Sequence, residues 1–217
     1  MTSKIRVVVF DLDGVLFDGP SATFYIATKL GIQQKLARIL QQVKSKNLPL
    51  RDSIMEGSKV WQGIRVDGKL NPLVEQMPLM KGAEETLSIL KEYGYKVGCI
   101  SSGVSQFFMK PFESRLNLDF AQSNILGETD GKHDGKVYYV MGGTEKAQTA
   151  LDYLDALGLT AENLASIGDG ENDIELFGVS SLSIAFNPES EKVGRAANLT
   201  IRSKDLRSIL PHFVADI

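Results

Sequence analysis

Three short polar runs each follow a stretch of strand-forming residues. They are Asp11-Leu12-Asp13-Gly14, Ser101-Ser102-Gly103 and Gly168-Asp169-Gly170-Glu171-Asn172-Asp173. Brought together, they would set four carboxylates and a hydroxyl around one point. Such a cluster repels itself unless a cation lies among the oxygens, and hard carboxylate oxygens suit Mg²⁺. A cation held there would also screen an anionic nucleophile from an anionic phosphate ester. The chemistry implied is phosphoryl transfer. Asp11 can attack phosphorus and carry the phosphoryl group, which divides one hard displacement into two easier ones. Asp13, two residues on, is placed to protonate the leaving oxygen and then to deprotonate water. Ser101 and the amides of Ser102 and Gly103, expected near a helix start, can hold phosphate oxygens. Lys146, in the first turn of a predicted helix, is the candidate for balancing the charge.

These runs need strands that end side by side. Ile5–Phe10 is almost continuously apolar and β-branched, the pattern of a central parallel strand covered on both faces. Further strands are expected at 96–100, 120–126, 136–141, 164–168 and 182–186, with a turn-rich hairpin at 130–135. Helices are expected at 83–93, 103–116 (with Pro111 as a kink or break), 144–157 (with Thr144 as N-cap and Gly158 as stop), 171–177 and 204–213. In an open parallel sheet, ligands bind beyond the carboxyl ends of the strands, where all three runs would lie. Between about 21 and 71 the pattern is helical instead; Leu36, Ile39, Leu40 and Val43 share one helix face, and Pro49 can open the next helix. That stretch is too long for an ordinary crossover. The expected fold class is therefore α/β: a Rossmann-like parallel sheet core (1–16 and 79–217) with an inserted small helical cap domain (17–78).

The chain has 217 residues, 43% hydrophobic and 24% charged, with a formal net charge of −3. That is enough for one substantial core plus a small accessory domain, and the charge gives no sign of nucleic-acid binding. Cys99 is the single cysteine, so no internal disulfide can form, and its strand position makes it a core residue. No apolar run approaches the ~18 residues of a membrane span. The short apolar start does not read as a secretory signal, so a cytoplasmic setting is expected. Lys29–Lys69 holds nine basic and three acidic residues. Its +6 balance leaves −9 on the rest, so it could draw in an anion or simply be solvated helix faces. His133, in a charged turn, is expected to be exposed; neither it nor His212 is assigned a role. Trp61, with Met55, is either cap core or a pocket wall.

Phe10-Asp11-Leu12-Asp13-Gly14-Val15-Leu16, Ser101, Lys146 and Gly168–Asp173 resemble, in order, the four motifs of the haloacid dehalogenase superfamily. Lys81–Leu87, Ser101-Ser102-Gly103 and Asn172 look like its phosphoserine phosphatase branch. The resemblance implies Asp11 as nucleophile and Mg²⁺ ligand, Asp13 as acid/base and a ligand through its carbonyl, Asp169 as a direct ligand, and Asp173 supporting the metal. It also implies that Ser101 and Lys146 grip the phosphoryl group, with Ser102, Gly103 and Asn172 as further binding residues. The chain departs from that branch at Gly14-Val15, where Ser-Thr is usual, and at Pro20, where a glutamate meets the substrate amine. Asp18 is the nearest acid. No arginine stands near Glu56-Gly57 for the substrate carboxylate, though Arg51 or Arg65 could substitute. A small phosphorylated metabolite for which phosphoserine is a poor stand-in is the expected substrate. Transfer to another acceptor is the alternative to hydrolysis. A monomer or homodimer without nucleic-acid or membrane partners is expected.

Overall fold

The structure is a computed structural model and describes residues 4–213. The outermost residues of the expected core, 1–3 and 214–217, lie outside the described residues. Seven strands form one sheet: β1 (Val7–Phe10), β2 (Lys96–Ser105), β3 (Phe120–Thr129), β4 (Lys132–Tyr139), β5 (Leu164–Gly168), β6 (Leu182–Phe186) and β7 (Leu199–Ile201). Their order is β4-β3-β2-β1-β5-β6-β7, and every neighbouring pair is parallel except β3 with β4. All four residues of β1 are buried, as its apolar run requires. It lies between β2 and β5, where successive strands turn to opposite sides of the sheet. That switch in direction opens a crevice above its carboxyl end.

The α-helices are α1 (Ala22–Lys29), α2 (Gln33–Ser45), α3 (Leu50–Ser58), α4 (Asn71–Glu75), α5 (Ala83–Glu92), α6 (Gln106–Arg115), α7 (Gly143–Ala156), α8 (Ile174–Val179) and α9 (Glu191–Ala196). From α1 to α4 the insertion forms no strand. The chain leaves and re-enters the sheet region side by side: the Asp18 amide donates to the Pro78 carbonyl (3.0 Å) and the Met80 amide to that of Leu16 (2.9 Å). Inside the insertion, Leu36, Val60, Trp61 and Val74 join the buried cluster that contains Phe10 and Phe108. Residues 63–66 also bond to the β3–β4 hairpin, with Gly63 donating to the His133 carbonyl (2.8 Å) and Val66 to that of Gly131 (2.8 Å).

Several expectations are corrected. The stretch after Ile100 stays extended to Ser105, and the helix begins only at Gln106. Asn124 of β3 is the cause: its side-chain amide donates to the carbonyls of Ser102 and Val104, both at 2.8 Å, and holds this polar run against the sheet. Helix α6 passes through Pro111 without breaking. The hairpin is tighter than expected: Asp130 (φ 53°) and Gly131 (φ 73°) make a two-residue turn, and β4 starts at Lys132. His133 is therefore buried, its Nδ1 donating to the Gly127 carbonyl at 2.8 Å. Gly142, not Thr144, caps α7, its amide donating to the Glu145 carboxylate at 3.1 Å. The last segment, Leu206–His212, is 3₁₀ rather than α-helical and contains Pro211. Strand β7 and helix α9 were not anticipated.

Candidate active site

Strand register builds the site. Phe10 lies opposite Cys99 in β2 and Ile167 in β5. Asp11 and the 168–169 turn therefore end on neighbouring strands, with Ser101 on the other side. The Asp11 amide continues the ladder, donating to the Ile167 carbonyl at 2.8 Å. Carboxylate oxygens of Asp11, Asp169 and Asp173 all lie within 4.8 Å of one another. Gly14 makes this approach possible. It has φ +72°, and a β-carbon there would run into the Asp169 carboxylate.

Lys146 is fully buried, and its ammonium donates to Asp11 (2.6 Å) and Asp173 (2.7 Å). Burial opposes its charge, but those two carboxylates outweigh burial and hold the lysine above its ordinary pKa. Asp173 is also fully buried. Its second oxygen accepts from the amides of Asp169 and Gly170, each at 3.1 Å, which fixes the turn carrying Asp169.

One ammonium does not neutralise three carboxylates. Burial first, then the Asp173 and Asp13 charges, push Asp11 up to about 7 against the pull of Lys146. Burial, Asp11, Asp173 and Glu189 push Asp169 up to about 8. The excess negative charge on hard oxygen donors fits a divalent cation, and Asp11 and Asp169 are the carboxylates of the trio not tied to backbone amides through their side chains.

Asp13 faces elsewhere. Its side chain is outside that trio and accepts from the Ala22 amide at 2.6 Å, at the start of α1. Burial lifts it to about 6, although the Ala22 amide and Lys146 favour its anion. A β-carbon on Gly103 would strike this carboxylate, so Gly103 keeps the path beside Asp13 open.

Asp11, Asp13, Asp169, Asn172, Ser102 and Gly103 line a cavity of about 560 Å³. Ser101 and Lys146 stand behind that surface. Ser101 is buried, its hydroxyl oxygen accepting from the Gly103 amide (3.1 Å), and Asn172 donates to the Ser102 hydroxyl (3.1 Å). Sequence reasoning missed Glu175 and Glu189 on the cavity rim, and the Ala22 amide that holds Asp13. Ser21, the N-cap of α1, was the available signal for the latter. None of the nine basic residues of the insertion lines this cavity, and Arg65 is paired with Asp67.

Comparison with known proteins places these features. Residues 5–177 match the family described as haloacid dehalogenase-like hydrolase. The chain is 31% identical over 183 residues to phosphoserine phosphatase SerB2 of Mycobacterium tuberculosis, covering 84% of this chain and 44% of that one. It is 30% identical over 209 residues to a phosphoserine phosphatase of Wolinella succinogenes, covering 96% and 100%. The chain thus spans less than half of one relative and the full length of the other. A solved phospho-aspartyl intermediate analogue of phosphoserine phosphatase superposes with a TM-score of 0.81 at 26% identity, over 97% of this chain and 99% of that one. Among the described residues, no helix is long and apolar enough to cross a membrane.

Proposed function

The chain belongs to the haloacid dehalogenase-like hydrolases, and from that premise we propose that it hydrolyses phosphate monoesters of a small metabolite through an aspartyl-phosphate on Asp11. The carrying observation is the pairing of a buried Asp11 with Lys146 at 2.6 Å, beside Asp169 and Asp173. The relative solved as a phospho-aspartyl analogue supports the same chemistry.

Asp11 and Asp169 would hold Mg²⁺, with Asp173 behind them and the Asp13 carbonyl as a further donor. The ion would supply positive charge against the phosphoryl oxygens. The chain's own groups do the rest. Lys146 holds the Asp11 carboxylate in position and offsets its charge. One Asp11 oxygen attacks phosphorus as the ester P–O bond breaks, and Asp13 gives its proton to the departing alcohol oxygen. Asp13 then takes a proton from water, which attacks the aspartyl-phosphate and frees inorganic phosphate. A pKa near 6 suits a group that must give and then accept a proton. Ser102, Gly103 and Asn172 border the phosphoryl position, with Ser101 behind them. Residues 17–78 act as a cap that shields the reaction from bulk water.

The test is phosphate release from a panel of phosphomonoesters with Mg²⁺ or with EDTA, for the wild type and Asp11→Asn. Turnover that needs both Mg²⁺ and Asp11 is expected; Asp11→Asn retaining wild-type turnover would remove the covalent route.

A further inference from the structure

Helix α3 sorts its side chains by helical period. Leu50, Ser53, Ile54, Gly57 and Ser58 line a second cavity of about 230 Å³, whereas Arg51, Asp52 and Glu56 are absent from its wall. Leu36 and Leu40 of α2 close one side. Trp61 and Phe108 form another, edge to face with centroids 5.2 Å apart. The cavity meets the acidic one at Leu50, Ser102 and Gly103, which belong to both walls. Asp13, the proton donor, lies against Gly103 at that junction.

The wall of this cavity carries no charged side chain, and neither cavity is lined by a lysine, arginine or histidine among the described residues. Its polar groups are largely committed. Ser53 donates to the Pro49 carbonyl (2.9 Å), Ser58 to Met55 (2.8 Å) and Thr23 to Gly103, while the Asn124 amide is spent on Ser102 and Val104. Ser105 is the exception: its buried hydroxyl has no hydrogen-bond partner among the described residues. A charged leaving group entering here would lose its hydration and gain no counter-charge.

Resting on the phosphatase reading above, we propose that the substrate is the phosphate monoester of an uncharged, largely apolar alcohol. The phosphate faces Asp11, and the alcohol occupies the cavity under α3, with room for one uncharged polar substituent at Ser105. Phosphoserine, whose leaving group carries an ammonium and a carboxylate, does not match this wall.

The probes are benzyl phosphate, O-phosphoserine and methyl phosphate, whose alcohol is too small to reach the second cavity. The expected kcat/KM for benzyl phosphate exceeds that for phosphoserine by about 30-fold, the worth of one buried ring. Gly57→Glu puts a carboxylate on the cavity wall at a helical position where a β-carbon meets nothing within 4 Å, and retained turnover of methyl phosphate shows that the variant is folded. Its benzyl-to-methyl ratio of kcat/KM is expected to fall at least about tenfold. A wild type that prefers phosphoserine, with turnover still dependent on Asp11, would overturn the alcohol assignment and leave the hydrolase reading intact. An unchanged benzyl-to-methyl ratio in Gly57→Glu would overturn the placement of the alcohol. No hydrolysis of any ester by the wild type would instead remove the phosphatase reading itself.

Discussion

Replacing Lys146 with methionine keeps the side chain's bulk and removes its charge. The ammonium is fully buried and bonds to two buried carboxylates at 2.6 and 2.7 Å, so nothing from solvent can take its place. Breaking a buried pair by deleting one partner costs about 3–5 kcal/mol, because the other charge is left uncompensated. For a chain of this size each kcal/mol lowers Tm by roughly 2–4 °C, so the expected drop is roughly 6–20 °C. Its pH dependence identifies the cause. Asp11 is already raised from 3.8 to about 7 with the lysine present, and it rises further without it. A carboxyl whose folded pKa lies above its unfolded value contributes stability below the unfolded pKa and loses it as pH rises through the folded one. The gap between wild type and Lys146→Met must therefore widen from about pH 7 to about pH 9, where Asp11 ionises in the folded wild type but not yet in the variant. Thermal unfolding in EDTA across that range measures it, and added Mg²⁺ should return part of the loss at the alkaline end. A drop of less than about 2 °C that is flat with pH would show that the lysine does not compensate these carboxylates.

Three other outcomes are expected. Asp169→Asn removes a carboxylate raised to about 8, so in EDTA its Tm should decline less steeply than wild type between about pH 5 and pH 8, and Mg²⁺ should stabilise it less. Parallel pH curves in a melting series would contradict this. Gly14→Ala forces a β-carbon into the Asp169 carboxylate at positive φ and should cost about 1–3 kcal/mol, read as a lower urea midpoint with unchanged slope. Asp13→Asn should slow the first step, release of the alcohol within a single turnover, by about 10²–10⁴-fold with alkyl phosphates, yet cost that step much less with p-nitrophenyl phosphate, whose leaving group needs no proton. Equal losses on both esters would refute proton donation by Asp13.

The parts of the site that sit at strand ends were legible because burial writes itself into composition. The apolar run into Asp11 and the strand from Leu164 to Gly168 place Asp11 and Asp169 before any coordinates are seen. Lys146 was found from its place at a helix start. What stayed hidden depends on partners distant in sequence. The extension of β2 through Ser101–Ser105 has no strand pattern of its own and is held by Asn124, about twenty residues later. Asp13 takes its orientation from the Ala22 amide, and His133 is buried only because the hairpin turns at Asp130-Gly131 and packs against residues 63–64. Thr144 was chosen as a cap by residue type, whereas the Glu145 carboxylate does that work from inside the helix. Strand β7 has three residues, too few to carry a period. The uncharged cavity was beyond sequence reasoning because α3 is polar overall, and only the turn of the helix shows which of its side chains face inward.

The covalent step is tested most directly by trapping it. The enzyme is mixed with benzyl phosphate and Mg²⁺, quenched in acid within the first turnover, digested and mapped by mass spectrometry. One phosphoryl group on the peptide carrying Asp11, lost on treatment with hydroxylamine and absent from Asp11→Asn, is the predicted result. Full turnover with the phosphoryl group found on another side chain would contradict the account.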